Sequence, residues 1–169
     1  LGEKNIILFR EQGFIRSAAD IFDLSDHKKE ITCLEGWGEL SIDKLITEIS
    51  NRRVIELNRF IYALGIKQVG QAVATLLAKN YENYQNWSES MIKAADKSST
   101  YYGDLLNING VGSSIAEDLI SFFCQSQNLE FLNKLVPKIE IQRYLRAQDQ
   151  SSRIFDKTIV FTASMSSLT

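Results

Sequence analysis

The chain has 169 residues, 44% of them hydrophobic, which suffices for one or two small cores, and no apolar run is long enough to cross a bilayer. Its 19 Lys and Arg against 21 Asp and Glu give a net charge of −2, without the basic excess typical of a nucleic-acid-binding protein. Cys33, Cys124 and the single His27 form no recognisable disulfide framework or metal-ligand set, and they fit a reduced, intracellular setting.

The predicted elements are helices almost everywhere up to residue 137. The chain starts with LGEKNIILF, without an initiator Met or a signal-peptide pattern, so we expect a fragment of a longer protein. The polar stretch 94–104 is broken by Gly103 and is predicted to be a loop. Elsewhere apolar residues recur at helical spacings of three and four, as in Val73, Leu76, Leu77 and Tyr81.

A change of character follows Pro137, which cannot extend a preceding helix. Residues 138–154 are mixed and charged, and we expect a linker that is helical or coiled. The run KTIVFTA, 157–163, is β-branched and aromatic and predicts one buried strand. A single strand has no partner of its own. We therefore expect a helical domain over 1–137, a linker over 138–154 and a truncated further domain over 155–169.

A glycine followed by a helix-compatible run occurs four times, in LGEKNIILF, LEGWGELSIDKLI, IKQVGQAVATLLA and INGVGSSIAEDLI. Seven residues after each glycine stands an apolar residue, two helical turns on. The repeat predicts a short helix, a tight turn and a second helix. The fold class is therefore all-α, with two packed pairs of hairpins over roughly 1–64 and 65–137. We number the hairpins one to four by their shared glycines, Gly2, Gly38, Gly70 and Gly112.

Glycine has a physical use in such a turn. A helix–helix turn drives one or two residues toward positive φ, which glycine reaches without steric cost, and the missing Cβ permits close approach. At the start of the second helix the first amides lack intrahelical partners, so an anion such as phosphate can be held there without lysines. The alternative is a plain helix–helix turn with a glycine C-cap.

The turns resemble helix-hairpin-helix motifs, which bind the DNA backbone. Their order resembles the tandem helix-hairpin-helix domain of bacterial NAD-dependent DNA ligases. The tail FDKTIVFTASMSSLT, 155–169, is similar to the first strand and turn of the BRCT domain in the same family. Nearly the whole chain is covered, and ALGIKQVG is the most specific block. The similar blocks, in the family's order, are AADIFDL, LEGWGELS, LNRFIYALGIKQVG and INGVGSSIAEDLISFF.

Several features depart from that family. Hairpin one lacks its first half, and Gln68 stands where hairpins two and four have Gly36 and Gly110. The loop around KSSTYY is longer than the family's usual loop, and Ala163 stands where the BRCT turn has a glycine. The family's adenylation lysine, nucleotide-binding residues, OB-fold and four-cysteine zinc module are absent from these 169 residues.

The resemblance implies that a parent enzyme seals DNA nicks by NAD-dependent adenylyl transfer in replication and repair, using NAD, Mg and Zn. This chain would hold no cofactor and no catalytic residue. It would bind duplex DNA at a nick through backbone phosphates, independently of sequence and across the minor groove. Its other partners would be the remaining domains of the same ligase, in the bacterial cytoplasm at the nucleoid and not at a membrane.

We expect DNA contacts from the turn glycines and from residues whose amides open the following helices, together with nearby cationic side chains. Contacts of this kind position a protein without reading sequence. The predicted main-chain contacts come from Gly2, Glu3, Gly36, Gly38, Val69, Gly70, Gly110, Gly112 and Ser113. The predicted side-chain contacts come from Arg52, Arg53 and Lys67.

The local charge differs between hairpins three and four and predicts which of them binds phosphate better. Residues 51–80 carry five Lys and Arg against one Glu, whereas residues 81–130 carry two Lys against seven Asp and Glu. Phosphate contacts should therefore favour hairpin three over hairpin four. A solvated helix face is the alternative for each arginine, and Arg59 could pair with a carboxylate. Trp37 and Trp87 are expected to pack in a core or turn and not to stack on bases.

Two other functions fit the sequence. One keeps the fold in another DNA-repair protein, such as a nuclease subunit with tandem hairpins. The other is a protein-interaction module that does not bind DNA, which would suit the acidic pI of about 5.5. Binding to nicked duplex at two salt concentrations separates this last reading from the others.

Overall fold

The computed structural model describes residues 1–145, and the predicted strand at 157–163 lies outside them. The predicted helical fold class is confirmed, since short strands and two 3₁₀ segments, Ala18–His27 and Val136–Lys138, are the other regular elements within that range. The helices are α1 (Glu3–Glu11), α2 (Lys28–Thr32), α3 (Glu39–Asn51), α4 (Leu57–Ala63), α5 (Gln71–Tyr81), α6 (Tyr84–Lys93), α7 (Thr100–Leu106), α8 (Ser113–Cys124) and α9 (Ser126–Leu135).

Two predictions of local structure were wrong. The expected loop 94–104 is helical from Thr100 onward, because the Ser99 side chain caps α7 by accepting a hydrogen bond from the Tyr102 amide. Gly103 lies inside this helix. The expected linker at 138–154 begins with a strand, β2 (Glu140–Gln142), although its later residues lie outside the described range.

Strand β2 pairs in parallel with β1 (Val54–Glu56), and Ile55 stands opposite Ile141. Both isoleucines pack against the larger core. β-Branched residues favour this extended, half-buried position. The sequence analysis, which expected helices almost everywhere up to residue 137, contains no prediction of this strand, because its pairing partner lies far along the chain.

The apolar side chains form two cores. The N-terminal core packs hairpins one and two together, and the Phe9 and Trp37 rings lie 5.0 Å apart between their centroids. The C-terminal core packs hairpins three and four, with Trp87 fully buried against Phe123. Both tryptophans are therefore packing residues, as predicted. The buried members of the N-terminal core are Phe9, Ile15, Leu24, Ile31 and Ile42.

The predicted boundary between the hairpin pairs, 64/65, was wrong. Helix α4 contributes Leu57, Phe60 and Ile61 to the C-terminal core, where it packs beside α5. The boundary therefore lies before Leu57. Helix α4 is the first helix of hairpin three and ends at Ala63, and Gly65, which follows the C-cap Leu64, has the φ of +66° typical of a helix C-terminus.

Hairpins three and four contact each other reciprocally through their turns. The Gln68 side chain, in the turn of hairpin three, donates to Ser114 Oγ at 2.7 Å and to Asp118 Oδ2 on α8. In return, Gly110 in the turn of hairpin four lies against Leu76 of α5, where an added Cβ would come within 2.9 Å of Leu76 Cδ1. These contacts hold the two turns side by side.

A polar junction joins the two cores. The Arg53 guanidinium donates to the carbonyl of Phe22 at 2.5 Å and to the carbonyl of Lys138 at 2.7 Å. Its Cζ lies 5.4 Å from the Phe22 ring centroid. Lys138 forms an ion pair with Asp23. Arg53 therefore links the 3₁₀ segment of the N-terminal half to the chain that follows α9.

We expect Arg53→Ala to lower the free energy of unfolding by about 1–3 kcal/mol, because two partly buried carbonyls would lose their donor. The matched control is Arg52→Ala. Because Arg52 is exposed, this substitution should change the free energy of unfolding by no more than about 0.5 kcal/mol. Urea unfolding followed by circular dichroism measures both. Equal stability of the two variants would show that the junction contributes nothing.

Two glycine substitutions should change stability in opposite directions. Gly103→Ala should stabilise the protein by about 0.5–1 kcal/mol, because Gly103 is helical and a new Cβ would meet nothing within 4 Å. Gly110→Ala should destabilise it by about 1–2 kcal/mol, because its φ is +94° and Leu76 must shift. Thermal melting of both proteins checks the signs, and a stabilising Gly110→Ala would contradict the described turn.

Candidate nucleic-acid interface

The hairpin turns share one backbone conformation. In hairpins two, three and four the first turn position has positive φ, at +80° for Gly36, +62° for Gln68 and +94° for Gly110. Gln68 thus adopts the conformation that glycine takes in the other two turns. The next residue, Trp37, Val69 or Val111, donates its amide to a carbonyl three residues earlier, at 3.1, 3.0 and 2.9 Å.

The glycine shared by all four hairpins does not occupy the position of positive φ, contrary to the prediction. It is the N-cap of the second helix, with extended backbone and φ between −134° and −80°. A Cβ added there would meet nothing within 4 Å in any of the four copies. Neither backbone strain nor internal packing requires these glycines. Their lack of a side chain leaves the start of each helix uncovered toward the outside.

The helices differ in whether a side chain caps their N-terminus. The N-caps of α6 and α7, Asn83 and Ser99, accept hydrogen bonds from amides of the first turn. The N-caps of α1, α5 and α8 make no side-chain hydrogen bond. In hairpin two the Gly38 amide already donates to Ser41 Oγ at 2.9 Å. The second helices of all four hairpins, α1, α3, α5 and α8, thus start without a side-chain cap, so amides at their starts remain available to an outside acceptor.

First-turn carboxylates separate the hairpins further. Glu3 lies in the first turn of α1, and Glu39 lies in the first turn of α3. The first turns of α5 and α8 hold no acidic residue. A helix N-terminus attracts anions, and a carboxylate already placed there competes with an incoming phosphate. Hairpins three and four therefore offer the better anion sites, and the predicted contact at Glu3 lies in a less favourable position.

Of the predicted main-chain residues, most lie exposed at the starts of helices. Gly70, Gly112 and Ser113 are exposed around the N-termini of α5 and α8. Val69 is different, because its side chain is 5% exposed and its amide closes the turn on Ile66. The Val69 amide is thus engaged within the turn, which disfavours the predicted main-chain contact at this residue.

The predicted cationic side chains divide in the same way. Arg52 and Lys67 are exposed, and neither side chain forms an ion pair within residues 1–145. Arg53 is committed to the junction with Phe22 and Lys138. Its guanidinium acts as an internal link, which disfavours the predicted phosphate contact of Arg53.

The carboxylates of hairpin four are partly engaged. Lys97 donates to Glu117 at 3.0 Å, and this hydrogen bond raises the pKa of the Lys97 ammonium. Asp118 accepts from Gln68. These contacts reduce the repulsion that the acidic surface around α8 would exert on a phosphate, although they leave its net charge negative.

Two contributions were missed by the sequence analysis. Gln71, the first residue of α5, is exposed directly after Gly70, and its amide lies among the uncovered donors. The repeat spacing could have identified it, as it identified Ser113. Gln68 joins hairpins three and four, and no sequence signal indicates that contact because its partners lie 46 and 50 residues away.

Two other kinds of functional feature are not found within residues 1–145. No three His, Cys, Asp or Glu side chains lie close enough together to hold a metal ion there. Among the helices of the same range, none has the length and apolar character needed to cross a membrane.

Comparison with known proteins agrees with the hairpin geometry. Residues 59–132 match the family model described as "Helix-hairpin-helix motif". This range covers hairpins three and four, from α4 to α9. The match therefore coincides with the pair of hairpins whose second helices are uncapped and free of first-turn carboxylates.

The whole chain is also similar to proteins named DNA ligase. It is 44% identical over 169 residues to the DNA ligase of Acidiphilium cryptum and covers 24% of that protein. The DNA ligases of Wolbachia pipientis and Parvibaculum lavamentivorans are 43% and 42% identical, with 98% and 100% of the chain covered. The chain spans about a quarter of the length of these curated relatives. Residues 59–132 thus match the helix-hairpin-helix motif, and the chain is similar along its length to one segment of DNA ligases.

Proposed function

We propose that this chain binds duplex DNA through backbone phosphates, as the DNA-gripping part of an NAD-dependent DNA ligase. The observation that carries the proposal is the pair of uncovered helix N-termini after Gly70 and Gly112. Both are exposed, lack a side-chain cap, and belong to hairpins in which each turn contacts the second helix of the other hairpin. The similarity to DNA ligases supports the choice of ligand.

Binding uses main-chain donors. The first amides of α5 and α8 donate to phosphate oxygens, and the positive ends of the helix dipoles favour the anion by about 0.3–1 kcal/mol each. Two N-termini held side by side contact the backbones of a duplex without touching base edges, so the binding is independent of sequence. An acidic chain can bind DNA in this way because the contacts do not depend on a surplus of lysine and arginine.

Hairpin three contributes more than hairpin four in this proposal. The exposed Lys67 lies in its turn, whereas α8 carries Glu117 and Asp118. Hairpins one and two add less, because Glu3 and Glu39 lie in the first turns of their second helices. Lys67 then supplies a charged contact beside the main-chain site at Gly70.

The parent protein would seal nicks during replication and repair in the bacterial cytoplasm, at the nucleoid. NAD, Mg²⁺ and Zn²⁺ would act in other parts of that protein. The described residues do not fit a metal site, since no suitable group of three ligands lies within 1–145. The segment 155–169, outside the described residues, would begin a BRCT domain. This chain supplies grip and no chemical step.

Substitution of the N-cap glycines tests the main-chain contacts. Gly70→Asp should weaken binding to nicked duplex by about tenfold or more, equivalent to about 1.4 kcal/mol, because a carboxylate would occupy the phosphate position. Aspartate is a good N-cap, so the fold should be retained. Fluorescence anisotropy at low and moderate salt measures the affinity.

Matched variants isolate the cause. Gly70→Asn caps the helix without adding charge and should weaken binding less than Gly70→Asp. Gly112→Asp should reduce the affinity for DNA less than Gly70→Asp does. Gly38→Asp should reduce it least, because α3 already carries Glu39 in its first turn. If Gly112→Asp abolishes binding and Gly70→Asp binds fully, hairpin four and not hairpin three makes the main contact with DNA. No binding by the unaltered chain at low salt would favour a protein-interaction module.

A second experiment tests the absence of chemistry. Incubated with NAD, Mg²⁺ and nicked DNA, the chain should form no adenylated protein and no sealed product, because it has no recognisable adenylation lysine motif. Mass spectrometry detects the adenylate, and denaturing gel electrophoresis detects sealing. Either product would contradict the proposal that this chain binds DNA and catalyses no step.

A further inference from the structure

Arg59 lies where two surface grooves meet beside hairpin three. It is exposed on α4, the first helix of that hairpin. One groove, of about 480 Å³, is shared with Gln71 and Thr75 of α5. The other, of about 500 Å³, is shared with Arg52 and Glu48. Arg59 therefore stands between the start of α5 and the end of α3.

The first groove leads directly to the candidate phosphate site. Gln71 is the first residue of α5 and follows Gly70, whose exposed backbone opens that helix. Thr75 lies one turn further along the same helix. A strand of DNA backbone bound at Gly70 thus has an adjacent channel, and Arg59 borders it.

The second groove, which Arg59 also lines, contains another guanidinium. Arg52 is the residue that ends α3, and it lines this groove together with Arg59. Glu48 also lines it, so the groove has two positive side chains and one negative one. The surplus positive charge lies at the seam between the two hairpin pairs.

Arg59 has no internal role within residues 1–145. Its guanidinium makes no hydrogen bond or ion pair there, and Glu48 does not pair with it. Arg53, six positions earlier, provides the contrast, because its guanidinium binds two carbonyls. Several other cationic side chains are neutralised by carboxylates, namely those of Lys28, Lys93, Lys97, Lys138 and Arg143.

We infer that Arg59 binds a phosphate of duplex DNA next to the phosphate held by hairpin three, and that Arg52 continues this track. A guanidinium presents paired N–H donors that match phosphate oxygens, and it is always charged. The inference rests on the proposed function. It adds a side-chain contact on the first helix of a hairpin to the main-chain contacts of the second helix.

The test is the salt dependence of DNA binding. Each phosphate neutralised by a cationic side chain contributes about −0.9 to the slope of log K against log salt on duplex DNA. Arg59→Ala and Arg59→Gln should each lower the magnitude of that slope by about 0.9. Arg59→Lys should retain the slope, since the charge remains. Fluorescence anisotropy with one nicked duplex at several salt concentrations gives the slopes.

Lys79→Ala is the matched control. Lys79 is an exposed cation in the last turn of α5, far along that helix from Gly70, and it lines neither groove. Its loss should leave the slope within experimental error of the unaltered chain. A slope that falls equally in Lys79→Ala and Arg59→Ala would overturn the inference, because it would reflect general charge. Circular dichroism verifies that each variant is folded.

The outcomes separate this inference from the proposed function. If both Arg59 variants bind like the unaltered chain while Gly70→Asp binds weakly, the Arg59 contact is wrong and hairpin three still binds DNA. If the unaltered chain does not bind duplex at low salt, both the proposed function and the inference fail. Slopes reduced by about one phosphate in Arg59→Ala and Arg59→Gln, restored in Arg59→Lys, support the contact.

Discussion

The reciprocal contact between hairpins three and four is the constraint on which the candidate interface depends. Gln68 reaches from one turn to Ser114 and Asp118 on α8, while Gly110 of the other turn lies against Leu76 of α5. Each turn is thus held by the second helix of the other hairpin. Two uncovered helix N-termini consequently stand in a fixed relation, so a rigid ligand with regularly spaced anions can be bound by both without ordering a flexible loop.

A second set of contacts joins the C-terminal core, which contains hairpins three and four, to the N-terminal core. Arg53 binds the carbonyls of Phe22 and Lys138, and β1 pairs with β2 beside it. Arg53 and Lys138 supply polar contacts of this connection. The N-terminal and C-terminal cores are otherwise separate groups of apolar residues. Two hydrogen bonds between the halves therefore come from an arginine whose sequence context resembles that of a surface cation.

The same geometry explains how an acidic chain can be matched to an anionic ligand. The donors are amides at helix starts, where glycine N-caps add no side chain and where α5 and α8 carry no first-turn carboxylate. Exposed cationic side chains also lie close by, with Lys67 in hairpin three and Arg52 and Arg59 along one groove. The net charge of −2 describes the whole sequence and is a poor guide to the potential at these points.

The sequence by itself determined the helical fold class, the glycine before the second helix of each hairpin and the packing role of both tryptophans, because hydrophobic periodicity and turn chemistry are local properties. It also located Gly70 and Gly112 at the starts of helices. Tertiary structure decided what depends on distant partners. It placed the positive φ at Gly36, Gln68 and Gly110, paired β1 with β2, and assigned α4 to the C-terminal core. Arg52 and Arg53 are neighbours with the same charge, and only the fold distinguishes them, because the Phe22 and Lys138 carbonyls lie within reach of Arg53 alone.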